Sequence, residues 1–210
     1  MNLQSANHMQ PKTFIFIGRS GCGKGTQAKI LREYIEKMDS EKRKIMYLET
    51  GPRFREFIKL PGYTNQLASH ITDTGGRQPD FLAVWNWAHV LIEELTGEEH
   101  LIVDGMPRSY EEALVFDSAI SFYKRAKPTV IYIDVSREWS KKHLFTRSKI
   151  EGRKDDSSLE LIERRLNWFE TDVLPALKYF ETNPGYNFVH VSGEQTIDQV
   201  TQSIVKALSW

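Results

Sequence analysis

The sequence predicts an α/β fold, a parallel β-sheet covered by helices on both faces. Three observations carry that prediction. Short β-branched and apolar runs alternate with longer stretches of helical periodicity. A glycine-rich loop joins the first such run to the first helix. At 210 residues, with 40% hydrophobic and 27% charged residues, the chain suits one such domain carrying small inserted lobes.

Strands are expected over Thr13–Gly18, Lys44–Glu49, Leu101–Asp104, Thr129–Val135 and Tyr186–Val191. Helices are expected to begin near Gly23, Asp80, Tyr110, Arg137, Ser158 and Thr196. In the helix starting near Asp80, Phe81, Trp85, Ala88, Leu91 or Ile92, and Leu95 recur at helical spacing, which predicts a core-facing stripe. Its aromatics, Trp87 included, read as core packing rather than a ligand box. Strand–helix alternation implies right-handed crossovers and ligands at the carboxyl ends of the strands.

Two segments break the alternation. Residues 50–79 form a turn-rich insert of short helices, and residues 148–158 are charged and almost devoid of apolar side chains. Neither can build a core alone, so both are expected to be mobile flaps on the rigid sheet. Residues 1–11 are set aside as a flexible N-terminal segment. The expected organisation is therefore a single domain over 12–210, with its core in 12–49, 80–147 and 159–210.

The 28 basic and 28 acidic residues balance, so no global field points to nucleic acid or an anionic membrane. The single Cys22 excludes an internal disulfide framework and a four-cysteine zinc site, and fits a reducing cytoplasm. The first ten residues lack the apolar core of a signal peptide, and no apolar run approaches the ~20 residues that cross a bilayer. A soluble, cytoplasmic monomer is expected.

The strongest local signal is Gly18-Arg-Ser-Gly-Cys-Gly-Lys-Gly-Thr26, which follows the apolar run Phe14–Ile17 and opens a helix. Its glycines let the backbone curl until several N–H groups face one anion. The helix start adds the positive end of its dipole, and Lys24 adds a full charge. A turn that merely joins strand to helix does not require the lysine, the spacing and the context together. The usual loop of this type has Ser or Thr directly after the lysine, where a hydroxyl meets Mg²⁺. Here Gly25 occupies that place and Thr26 follows. A glycine there leaves room for two nucleotides to meet above the loop.

With these residues in view, the chain resembles the adenylate kinase family of nucleoside monophosphate kinases. Gly23–Ala28 (GKGTQA) matches the family's P-loop continuation, and Glu49-Thr-Gly-Pro-Arg-Phe-Arg55 its phosphate-binding segment. Leu101-Ile-Val-Asp-Gly-Met-Pro-Arg108 is similar to its Asp-Gly-Phe-Pro-Arg strand end, Gly152–Asp156 to its short charged lid, and Val191-Ser-Gly-Glu194 to its last strand and turn. The motifs appear in family order over about residues 13–208.

The resemblance implies a P-loop NTPase-type sheet in strand order 2-3-1-4-5, an acceptor-binding lobe at 50–79 and a lid at 148–158. It implies transfer of a phosphoryl group from ATP to a nucleoside monophosphate, AMP first, with Mg²⁺. On the ATP side it points to Gly21, Cys22, Gly23, Lys24, Gly25, Thr26, His143, Arg147 and Gly193. On the acceptor side it points to Thr50, Gly51, Arg55, Gln78, Gly105, Arg108 and Glu112. Lys24 would stand near the transferred phosphates, Arg55 and Arg108 would clamp the acceptor's phosphate, and Arg147 and Arg153 would descend on the transferred phosphoryl; Asp155 and Asp156 would fasten the lid, and Asp104 would hold the water shell of Mg²⁺. Arginine suits these roles because its planar fork grips phosphate bidentately. One further phosphate-binding arginine is expected after the lid. Counting from Arg153 selects Arg164, whereas counting back from Leu166 and Pro175 selects Arg165. The stripe Ile162, Leu166, Phe169 and Val173 favours Arg165.

Four positions depart from the family pattern. Ser20 replaces a proline, Pro52 an acidic residue, His143 an arginine over the ATP base, and Glu112 a glutamine or asparagine. The last bears on selectivity, because a carboxylate only accepts and would meet the adenine N1 lone pair unfavourably. Guanine's donors or cytosine's amino group would suit an ionised Glu112 better. Alternatively Glu112 is protonated or turned to solvent, and Thr50 with backbone groups reads adenine. A UMP/CMP-type kinase, or a nucleotide sensor without turnover, are the other readings this leaves.

Overall fold

The computed structural model describes residues 10–151, 156 and 158–209. Among the described residues, five strands are parallel: β1 (Thr13–Ile17), β2 (Ile45–Glu49), β3 (His100–Asp104), β4 (Thr129–Asp134) and β5 (Asn187–Ser192). They lie in the order β2-β3-β1-β4-β5, as the resemblance implied. Every residue of β1 and β3 is buried, whereas β2 at the edge alternates between half-buried and buried. That difference is what a parallel sheet covered on both faces imposes on its central strands. Phe16 pairs with Asp104 on one side and with Ile131 on the other, which fixes where the strand ends meet.

The helices are α1 (Lys24–Met38), α2 (Thr50–Phe57), α3 (Tyr63–Asp73), α4 (Asp80–Glu94), α5 (Tyr110–Phe122), α6 (Arg137–Glu151), α7 (Leu159–Trp168), α8 (Leu174–Thr182) and α9 (Ile197–Ala207). Several begin where the sequence supplies an oxygen cap. Ser109 Oγ accepts from Glu112 N, Ser158 Oγ from Leu161 N, and Thr196 with Gln199 forms a reciprocal capping box.

Two cores follow from the sheet's two faces. On one, Ile15, Leu48 and Val103 pack against Trp87 of α4, Phe116 of α5 and Phe180 of α8. On the other, Phe14, Phe16 and Ile131 pack against Leu31 and Ile35 of α1 and Val200 and Ile204 of α9. Between α7 and α8 a π-helical turn, Phe169–Val173, keeps the expected stripe Ile162, Leu166, Phe169 and Val173 wholly buried.

The expected stripe on α4 is corrected in part: Leu91 is buried and Ala88 and Leu95 pack against the core as expected, but Phe81 and Trp85 do not. Phe81, Trp85 and Ile92 are exposed by 70%, 44% and 74%, and the buried face is Leu82, Asn86, Trp87, Val90 and Leu91. The physical reason is Asn86. Its amide donates to Thr50 O over 3.1 Å, so a polar residue occupies the inward phase that apolar periodicity alone cannot identify. Trp85 instead meets Phe57 and His89 in an outer aromatic cluster.

Candidate active site

The carboxyl ends of β1, β2 and β3 open onto one cavity of about 780 Å³. Its floor is the loop after β1. Gly23 caps α1 with φ of 89°, a left-handed conformation that side chains disfavour, and Lys24 Nζ donates to Gly18 O and Arg19 O over 3.2 and 3.3 Å. Arg19 braces the loop from behind by donating to Val135 O over 3.0 Å, pairing with Glu170 and lying over the Phe169 ring. Gly21, Gly25 and Thr26 line the cavity. Cys22 does not, since it is buried beneath the loop, where burial pushes its thiol pKa up.

Beside the loop stands Asp104, at the end of β3 and 5% exposed. A Cβ on Gly25 would come within 3.1 Å of Asp104 Oδ2, so the missing hydroxyl side chain leaves that ground to the carboxylate. Tyr47 Oη donates to the same oxygen over 3.3 Å.

The residues expected on the acceptor side form another wall. Thr50 Oγ1 donates to Gly105 O over 3.0 Å, Arg108 Nε donates to the same carbonyl over 2.5 Å, and Arg55 lies against Gly51. Glu112 also lines the cavity but is 2% exposed. Its Oε1 accepts from Trp87 Nε1 over 3.0 Å and its Oε2 from Arg108 N over 2.5 Å, so it is not turned to solvent. Burial pushes its pKa up, against the pull of those donors and of the Arg108 charge. Gln78 reaches the cavity from the loop before α4.

The remaining cations arrive from α6 and α7. Arg147 and Arg165 both line the cavity and both pair with Asp156, whose side chain is fully buried. Arg147 Nε donates to Asp156 Oδ2 over 2.8 Å, and Arg165 Nη2 donates to Ser20 Oγ over 2.9 Å. Arg164 points elsewhere, donating to Thr74 O and Glu160 on the exposed side. His143 lines the cavity with its ring stacked on Trp139 at 4.4 Å, and its Nδ1–H donates to Trp139 O over 2.9 Å. Gly193 is not on the cavity wall; its N–H donates to Asp134 O over 2.7 Å. Arg153 and Asp155 lie outside the described residues.

Sequence reasoning missed several members. Asn86, Arg77 and Trp168 line the cavity, and Arg77 also pairs with Asp80 and Asp172. None stands in a motif, and only folding brings α4 and α7 to the loop.

A family model for adenylate kinase matches residues 16–184 of the chain. An adenylate kinase of Flavobacterium psychrophilum is 27% identical over 198 residues, covering 93% of this chain and 97% of that protein. One of Leptospira biflexa is 28% identical over 197 residues, covering 94% and 100%. Adenylate kinase isoenzyme 1 of Caenorhabditis elegans is 26% identical, covering 93% and 86%.

Proposed function

The chain belongs to the adenylate kinase family and phosphorylates AMP with ATP, and we propose that it does so by in-line transfer between nucleotides held in the single cavity above the loop. One observation carries the site reading. Lys24, Arg55, Arg108, Arg147 and Arg165, from five separate stretches of chain, all line that cavity together with Asp104.

Phosphoryl transfer asks little covalent chemistry of a protein. It requires the donor and acceptor in line and the charge on the phosphates neutralised. In this reading the loop amides and Lys24 hold the donor phosphates, and Arg55 and Arg108 hold the acceptor phosphate. Arg147 and Arg165 stabilise the transferred group, with Arg153 of the lid as a further cation. No general base is needed, because the attacking phosphate is already anionic. Closure of 50–79 and 148–158 over the nucleotides excludes water, which protects ATP from hydrolysis.

The cation this chemistry calls for is Mg²⁺, which neutralises charge on the phosphate oxygens. Asp104 fits it as a hard oxygen donor beside the loop, and the described residues contain no cluster of three His, Cys, Asp or Glu to hold a metal alone. Asp104 would therefore hold the ion through its water shell, with nucleotide phosphates completing the coordination. A monomer acting on small nucleotides in the cytoplasm completes the proposal. No helix among the described residues is long and apolar enough to cross a membrane.

The pyrimidine-kinase and sensor readings are not favoured. The relatives named above are adenylate kinases, and both oxygens of Glu112 already accept from donors of the fold. A coupled ADP-release assay with AMP, GMP, CMP and UMP tests the function. AMP should be preferred by orders of magnitude. Equal use of CMP or UMP would restore the pyrimidine reading, and ATP binding without acceptor-stimulated turnover would restore the sensor.

A further inference from the structure

Ser20 and Arg165 stand 145 residues apart in the chain and meet at the cavity, which both of them line. Arg165 Nη2 donates to Ser20 Oγ over 2.9 Å, and Nη1 of the same guanidinium pairs with Asp156. Among the described residues the guanidinium is the one hydrogen-bond partner of Ser20 Oγ, so the hydroxyl is not spent on closing its own turn.

The contact is braced from both sides. Arg19, next to Ser20, donates to Glu170 over 3.1 Å and lies over the Phe169 ring at 4.6 Å. Two successive residues of the glycine-rich loop therefore lean on one stretch of chain, the end of α7 and the π-helical turn after it. On the far side of the guanidinium, the Asp156 side chain is fully buried and also accepts from Arg147 Nε over 2.8 Å. Arg165 is thus held at two points, one nitrogen on a carboxylate and the other on a hydroxyl. A planar fork fixed at both tips has one orientation. Fixed at Asp156 alone, it keeps its charge but can swing about that contact. Position 20 is also where the chain departs from a proline, which has no hydroxyl to offer.

We infer that Ser20 is a positioning residue for phosphoryl transfer, on the proposed reading of Arg165 as a cation for the transferred group: its hydroxyl accepts from Arg165 and aims that guanidinium at the phosphates above the loop. An arginine side chain has many rotamers, and order fixed before the nucleotides arrive does not have to be created in the transition state. Ser20 therefore acts on the rate, through Arg165, rather than on nucleotide affinity through the loop.

Steady-state kinetics of wild type, Ser20→Ala, Ser20→Thr, Arg165→Ala and the double variant Ser20→Ala/Arg165→Ala test this. Ser20→Ala should lower kcat by roughly tenfold, the scale of one hydrogen bond to a charged group. The KM values for ATP and AMP should stay within about twofold of wild type, because neither ground-state contact is lost. Ser20→Thr keeps the oxygen and should hold kcat within about threefold of wild type. On the Arg165→Ala background, alanine at position 20 should cost less than about twofold, since its partner is already gone. A serine that only shapes the loop would instead raise the KM for ATP and cost as much without Arg165 as with it. That pattern overturns the inference, as does an unchanged kcat in Ser20→Ala or an equal loss in Ser20→Thr. Should Ser20→Ala fail to fold, Ser20→Gly removes the same hydroxyl and is read in the same way. A wild-type rate in Arg165→Ala overturns the reading of Arg165 itself, and is seen in that variant alone.

Discussion

Trp87 and Glu112, 25 residues apart in the chain, meet in the interior as donor and acceptor, with indole Nε1 3.0 Å from Oε1. The second carboxylate oxygen takes the Arg108 N–H, so two donors converge on one side chain from opposite sides. A carboxylate answers both. A glutamine has a single acceptor oxygen, and its amide nitrogen would face the other donor. The departure at position 112 and the tryptophan at 87 are therefore coupled.

That coupling is measurable by denaturation. Glu112→Gln should destabilise the fold by about 1–3 kcal/mol, because one buried donor loses its acceptor. Placed on a Trp87→Phe background, the same change should cost clearly less, since only the Arg108 N–H then needs an acceptor. Strict additivity in urea melts would remove the coupling.

Lys24→Met and Arg108→Ala should each lower kcat/KM by about 10²–10³-fold or more, with the far-UV spectrum and melting temperature close to wild type. Near-normal rates in either variant would count against the phosphate-facing roles.

Arg165 and Arg164 are neighbours with opposite surroundings: one reaches Asp156 and Ser20 at the cavity, the other Thr74 O and Glu160 on the exposed side. Arg165→Ala should reduce kcat by about a hundredfold or more. Arg164→Ala should stay within about threefold of wild type, as truncation of an exposed charge does. The reverse pattern in steady-state kinetics would reassign the post-lid arginine.

His100 is fully buried at the start of β3, with its Nδ1 accepting from Lys12 N over 3.0 Å and its other ring nitrogen near Asp39. Burial lowers its pKa, against the pull of Asp39. A histidine held neutral in the fold is protonated first in the unfolded chain. Its contribution is present above the unfolded pKa of about 6.5 and is lost as pH falls from there through the lower folded value. Burial alone would push the Asp39 carboxyl up, but the N–H groups of Arg43 and Glu41 hold it low, so its loss falls in a separate, more acid window. Thermal melts between about pH 7.5 and about pH 5.5 should show stability declining with acid, and His100→Gln should flatten that slope. An unchanged slope in the variant would clear His100 of the effect.

Removal of divalent cations with a chelator should abolish turnover, and Mg²⁺ should restore it. Asp104→Asn should raise the Mg²⁺ concentration needed for half-maximal rate by about tenfold or more. Cation-independent activity would remove Asp104 from its proposed role.

What the chain determined by itself was local. The apolar runs of β1 and β3, the glycine-rich loop, the helix starts near Tyr110, Ser158 and Thr196, and the Ile162–Val173 stripe are each set by neighbours within a few turns of chain. They were legible because backbone geometry and burial of one face act over short sequence distances. Tertiary structure decided the rest. It chose the inward phase of α4 through Asn86, separated Arg165 from Arg164, carried Cys22 under the loop rather than into the cavity, and set Trp87 against Glu112. Those outcomes depend on which polar groups meet across long stretches of chain. A buried donor or acceptor is settled by partners that periodicity does not encode.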